Sequence, residues 1–136
     1  MKKDIPIRRV EDLAIAIAPR NSYEDDPDIF WDVFVVNTRN EAIKDVLINS
    51  RGYGERDGEE IRTSQFRFYF DEIKANTALP VEQIQVEMFD LTSEYWVSFS
   101  FDGYMFDKKY IFVKGSLDRK YLTSIPFIGK KGVMIR

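Results

Sequence analysis

The sequence predicts a mainly β fold of two antiparallel sheets packed face to face. Three observations carry this reading. Aromatic residues make up 15% of the 136-residue chain, and β-branched residues are frequent; both fit a pleated, half-buried surface. Apolar alternation recurs in short segments separated by turn-forming residues. One of those turns, Asp102-Gly103, lies between two aromatic runs and closes a hairpin whose register follows residue by residue.

The first element is Leu13 to Ala18. Leu13, Ile15 and Ile17 alternate with alanines, while Val10, Leu13, Ala14 and Ile17 also fit a helical stripe; Pro19 and the short length favour the strand. After a polar loop from Asn21 to Asp28, Phe30 to Asn37 is apolar on both faces except at Asp32, as an interior strand requires. Thr38 to Glu41 reads as a turn, and Ile43 to Ser50 as the returning strand of a hairpin. Gly52 and Gly54 flank Tyr53 near its end, where glycine permits a bulge. Asp57-Gly58 signals a second hairpin, leading into Glu60 to Phe70. Within this stretch and just beyond it, Phe66, Tyr69, Phe70 and Ile73 lie at helical spacing behind Ser64, a candidate N-cap, but the residue types and the preceding turn favour a strand. Asp71 to Pro80 then reads as a connector and Val81 to Phe89 as a strand, with Ile84, Val86 and Met88 alternating against Gln85 and Glu87. Asp90 to Ser93 turns the chain.

The hairpin from Glu94 to Lys114 is the best-specified element. Pairing outward from Asp102-Gly103 sets Phe101 opposite Tyr104, Phe99 opposite Phe106, Val97 opposite Lys108 and Tyr95 opposite Tyr110 on one face. Ser100 with Met105, Ser98 with Asp107 and Trp96 with Lys109 fall on the other. A slip of one residue would mix the faces, so turn chemistry and hydrophobic pattern demand the same register. Each cross-strand aromatic pair adds roughly 0.2–1 kcal/mol over small-residue pairs. Seven or so short strands with no long helix, in a single domain spanning 1–136, fit an immunoglobulin-like sandwich, although the Cys…Trp…Cys spacing of true immunoglobulin domains is absent.

Composition narrows the chemistry. The chain has no Cys and no His, which removes disulfides, thiolate nucleophiles, cysteine zinc sites, Ser-His-Asp catalysis and histidine-bound metals. An enzyme would have to use Asp, Glu, Lys, Tyr, Ser or Thr, with or without a hard cation. No pair among the 23 acidic residues is singled out by spacing, so the reading leans to a non-catalytic protein with no cofactor. The charged amino terminus lacks a signal-peptide apolar region, and no run approaches the roughly 20 apolar residues of a membrane helix. A cytoplasmic protein with no membrane partner is expected.

The net charge of −3 opposes general nucleic-acid binding. It conceals a split. Residues 1 to 102 carry 12 basic and 21 acidic side chains, and residues 103 to 136 carry 8 and 2. Either the basic part meets an anionic partner or the two parts neutralise each other within one fold.

Four segments are candidate sites. Glu24, Asp25, Asp26 and Asp28 offer carboxylates without EF-hand spacing, and a solvated turn is the simpler account. Arg51 to Gly58 carries glycines and arginines but no P-loop ending, and reads as a bulged hairpin end. Trp96, on the polar face opposite Lys109, either anchors an interface with a cation–π contact to that lysine or is covered by a neighbouring segment. The last twelve residues are apolar and basic, including Lys130, Lys131, Val133, Ile135 and Arg136. They either dock as a terminal strand on their own sheet or add to a partner by β-augmentation, and docking is the default because an exposed apolar edge invites aggregation.

Phe34-Val-Val-Asn37, Val46-Leu-Ile-Asn-Ser-Arg-Gly-Tyr-Gly54, Glu94-Tyr-Trp-Val-Ser-Phe-Ser-Phe101 and Gly129-Lys-Lys-Gly-Val-Met-Ile-Arg136 together resemble a family of short uncharacterised bacterial proteins. Members sometimes carry the label of a phenylalanyl-tRNA synthetase alpha subunit. The arginine motifs with which a class II synthetase holds ATP are not recognisable in this chain, so the resemblance implies at most an accessory or RNA-associated role. Lys108, Lys109, Lys114, Lys130, Lys131 and Arg136 would then meet phosphates. The leading expectation is a protein-interaction or self-associating module; an RNA-associated protein comes second, and a carboxylate- or cation-dependent enzyme third.

Overall fold

The computed structural model describes residues 10–21 and 29–136. These form ten strands: β1 (Leu13–Pro19), β2 (Phe30–Asn37), β3 (Ile43–Arg56), β4 (Glu59–Arg62), β5 (Phe66–Ile73), β6 (Thr77–Gln85), β7 (Thr92–Phe101), β8 (Tyr104–Phe112), β9 (Thr123–Ser124) and β10 (Lys131–Ile135). Two single 3-10 turns, Val86–Asp90 and Arg119–Tyr121, complete the regular structure of these residues. All strand pairings are antiparallel and make two sheets. The first has the order β6-β2-β1-β10-β9; in the second, β3 pairs β7 on one edge and both β4 and β5 on the other, and β8 lies beyond β7. The expected β-sandwich is thus the fold.

The sheets face each other across side chains supplied by alternate positions. Leu13, Ile15, Ile17, Val33 and Val35 come from the first sheet; Ile43, Ile48, Val97, Phe99, Tyr110 and Phe112 come from the second. Burying each such side chain fully contributes roughly 1.5–3 kcal/mol. β1 is buried along its whole length, because its alanines face outward under a second apolar cluster. There Ala14, Ala16 and Val36 pack with Ile125, Ile128 and Met134. The carboxy-terminal segment therefore docks on its own sheet: β10 pairs β1, and the loop before it covers the outer face.

The β7–β8 hairpin has the register that the sequence demands, from Phe101↔Tyr104 to Tyr95↔Tyr110. Asp102 and Gly103 both adopt positive φ, 52° and 76°, as a type I′ turn requires. The Asp57-Gly58 turn does the same at 53° and 79°, and β5 is a strand, not a helix.

Four expectations are corrected. β2 and β3 do not form a hairpin: β2 is enclosed by β1 and β6, and β3 starts the other sheet. Glu60 to Phe70 is split into β4 and β5, because at Thr63, opposite Gly52, the side-chain oxygen takes the Gly52 N–H in place of the backbone carbonyl. The Thr63 N–H donates to the Gly52 carbonyl at 2.9 Å, and its Oγ1 accepts the Gly52 N–H at 2.7 Å. Gly52 and Gly54 lie near the end of β3, as expected, although the strand runs on to Arg56. The connector expected over Asp71 to Pro80 shrinks to residues 74–76, since β5 runs to Ile73 and β6 begins at Thr77. Finally, the alternation expected from Val81 to Phe89 stops at Gln85. That residue pairs Phe30, the first residue of β2, so the chain beyond has little left to pair and curls into a 3-10 turn.

Candidate functional site

Two surfaces gather side chains with chemistry: the outer face of the second sheet, and a cleft between the sheets. On the outer face, the ladder sets Arg67, Asn49, Trp96 and Lys109 in one row across four strands. Trp96 is 43% exposed, so the neighbouring segments do not cover it. Lys109 Nζ lies 4.5 Å from its ring centroid, a cation–π contact. In the next row, Arg51 Nε donates to Glu94 Oε2 at 2.8 Å. That carboxylate is nearly buried despite facing outward, and Arg51 neutralises it. On the other side of the Trp96 row, Tyr69 donates to Asp45 at 2.8 Å, and this bond holds its phenol pKa up to about 12. Tyr69, Trp96, Met105 and Ile111 are all exposed apolar side chains of this face.

The other sequence candidates are placed apart from it. Val133 and Ile135 point inward and pack on the main core. Lys130 donates to the Arg20 carbonyl at 3.5 Å. Lys131 and Arg136 lie at opposite ends of β10, in the sheet that does not contain Trp96. Lys108 lies on the inner side of β8, its Nζ 5.2 Å from the Tyr110 ring, and Lys114 follows the end of β8. The six basic residues thus do not share one face. Arg51 and Arg56 of the glycine-containing segment are separately engaged by Glu94 and Asp90, the latter at 2.6 Å. The acidic candidates at 24–28 lie outside the described residues. Among the described residues no group of three acidic side chains is placed to hold a metal, and no helix is long and apolar enough to cross a membrane.

Reading the sequence missed the cleft. β5 and β6 leave the short connection at 74–76 on different sheets and diverge, and at the far end a cavity of about 380 Å³ opens between them. Its walls include Phe30, Phe66, Ile84, Met88 and Leu91; Ser50, Glu82, Ser93 and Tyr95 supply polar groups. The turn Val86–Asp90 closes one end, held by an edge-on contact of Phe89 with Trp31 at 5.0 Å and by the Arg56–Asp90 ion pair. Tyr95, on the second sheet, donates its hydroxyl to Glu82 Oε2 on the first at 2.8 Å. Burial raises the Glu82 pKa above its usual range, although hydrogen bonds from Tyr95 and Ser50 both act to lower it.

A β-bulge aims Glu82 into the cleft. Val33 pairs Glu82 while Phe34 pairs Pro80, which leaves Val81 as an extra residue. Val33 faces the core and Phe34 faces outward, so without the extra residue Glu82 would share the outward face of Pro80. Proline in a strand marks an edge or a bulge, and Pro80 was the one sequence signal that could have pointed here. No family model, curated protein or solved structure matches the chain.

Proposed function

We propose that this protein is a non-catalytic, cytoplasmic binding module of immunoglobulin-like type that docks a partner protein on the outer face of its second sheet. The exposure of Trp96 at the centre of that face carries the reading. Trp is among the residue types most enriched at interface hot spots, which cluster near the centre of a contact surface. The first sheet, in contrast, has its outer alanines covered by the chain's own carboxy-terminal segment. With Arg51 neutralised by Glu94, Arg67 and Lys109 leave a positive charge on either side of Asn49 and Trp96. The fitting partner presents an apolar side chain flanked by carboxylates. The pairings β1-β2-β6 and β3-β7-β8 follow the A-B-E and C-F-G order of immunoglobulin sandwiches, which supports that type. The lack of cysteine supports a reducing compartment.

Self-association through the outer edge of β8, which pairs no other strand among the described residues, is disfavoured, because Asp107, Lys108 and Lys109 occupy its middle and Lys108 points inward. Charged and inward-pointing residues of this kind block edge-to-edge pairing. The dispersal of the basic residues likewise favours a protein partner over RNA.

The test immobilises the full chain, exposes it to extract of its own cells with and without nuclease, and follows oligomeric state by light scattering. A retained protein should lose at least tenfold in affinity on Trp96→Ala, and binding should weaken with salt and with Arg67→Glu. Retention indifferent to Trp96 and Arg67 overturns the proposal. Retention abolished by nuclease transfers the function to the RNA-associated reading.

A further inference from the structure

We propose that the cleft between β6 and the β4–β5 connection binds a small organic cation, an ammonium head on an apolar body, with the Glu82 carboxylate receiving the head. This site is separate from the Trp96 face and does not depend on it. The cavity, about 380 Å³, falls at the lower end of the roughly 300–1,000 Å³ of small-molecule sites. It has the make-up of such sites: mostly apolar walls with a few convergent polar groups. Phe66, an exposed aromatic side chain on the wall, adds a ring that attracts a cation.

The head group follows from the charges. Of the residues lining the cleft, Arg51 is held by Glu94 at 2.8 Å, which leaves Glu82 as the lining charge without a counter-charge among the described residues. A carboxylate offers about four acceptor positions. Tyr95 and Ser50 supply neutral donors to it, so capacity remains for a ligand. An anion would meet repulsion, and a neutral head would leave the half-buried charge uncompensated.

A purely structural role does not account for the arrangement. An uncompensated carboxyl between two sheets opposes folding, and an apolar side chain of similar size would pack there at lower cost. The chain instead spends an extra residue in β6, Val81, to turn Glu82 inward. Bulges that re-aim a side chain are concentrated at sheet edges and beside functional sites, and β6 is an edge strand.

The test titrates the full chain at pH 8 with 2-phenylethylamine, 2-phenylethanol and phenylacetate, which share one body and differ in the head, and follows backbone amides by NMR. The amine should shift the amides of Ser50, Gly52, Glu82 and Ile84. It should bind at least tenfold more tightly than the alcohol, with the acid weakest. Glu82→Gln should bring the amine down to the level of the alcohol. Ser64→Trp, at an exposed position on the cleft wall, should weaken amine and alcohol alike, and it keeps the test valid should the Glu82 variant fold poorly. Phenylacetate binding as well as the amine, no binding by any of the three, or amine binding unchanged in both variants overturns the proposal.

Discussion

Glu82 and Asn37 are both polar residues set among apolar neighbours, and they differ in how completely their polar atoms are satisfied. Asn37 is fully buried. Its Nδ2 donates to the carbonyls of Glu41, Ile73 and Lys74 at 3.1–3.3 Å, and its Oδ1 accepts the Arg39 N–H at 3.0 Å. It thereby fastens the β2–β3 crossing to the β5–β6 crossing, and leaves no polar atom unpaired in a place where an unpaired one costs roughly 1–3 kcal/mol. Glu82 has donors but, among the described residues, no counter-charge, and burial raises its pKa. The consequence for stability has a definite sign. Because the folded-state pKa exceeds the unfolded one, the folded protein holds the proton more tightly between the two values, and stability is lost as pH rises through that window. Glu82→Gln removes the titration and keeps an oxygen for the Tyr95 hydroxyl. Urea denaturation of both proteins from pH 4 to pH 8 should show the variant gaining on the wild type as pH rises through the Glu82 titration and holding that gain above it. A gap that stays constant with pH, or one of opposite sign, contradicts the assignment.

At the scale of elements, β3 owes its shape to a residue with an uncommon backbone. Asp45 has φ of 50° and sits where the ladder with β7 slips: Lys44 pairs Ser100, yet Leu47 pairs Ser98. Two residues, Asp45 and Val46, therefore face one, Phe99, and the bulge lets Ile43 and Val46 both point into the core although they are three apart. Left-handed backbone costs a non-glycine residue about 1–2 kcal/mol, with Asp among the better tolerated and β-branched residues the worst. Asp45→Val should destabilise by about 1–3 kcal/mol relative to Asp45→Gly, which stays near the wild type; denaturant midpoints of the three proteins measure this. Such bulges explain what the sequence could and could not reveal. The β7–β8 register was legible because its turn and its alternating faces are local and agree. The β2–β3 crossing was not, since a turn between two strands reads the same whether the second strand pairs the first or joins the opposite sheet. The Val81 bulge, which places Glu82, depends on the pairing partner, and β6 could not be assigned to β2 from its own residues. Trp96 and Lys109 were legible as cross-strand neighbours, while the uncovered face around them depends on where the rest of the chain goes.

The whole molecule is asymmetric, and the carboxy-terminal segment makes it so. On the first sheet, β10 occupies the edge of β1, with Ile15↔Ile135, Ala16↔Met134 and Ile17↔Val133. Its glycine allows the close approach: a Cβ on Gly132 would lie 2.8 Å from the Ile17 carbonyl oxygen and 3.0 Å from the Ala18 Cβ. Val133 and Ile135 complete the core. On the second sheet, the Tyr110 hydroxyl reaches across to donate to the Leu13 carbonyl at 2.8 Å, so β1 is tied to both sheets. Trp96 takes part in none of this. Deleting residues 131–136 should thus strip β1 of its neighbour, open an apolar strand edge and expose the Leu13–Pro19 alanines, giving a protein that melts at least 10 °C lower or aggregates. Trp96→Ala, which removes a cross-strand contact worth roughly 0.2–1 kcal/mol, should melt within a few degrees of the wild type. Calorimetry and light scattering on the two variants separate the roles. A truncated chain as stable and monodisperse as the full one would mean that β10 is dispensable and its docking on β1 incidental. A collapse of the Trp96 variant would make that side chain part of the fold, and the outer face of the second sheet would lose its standing as a surface kept for a partner.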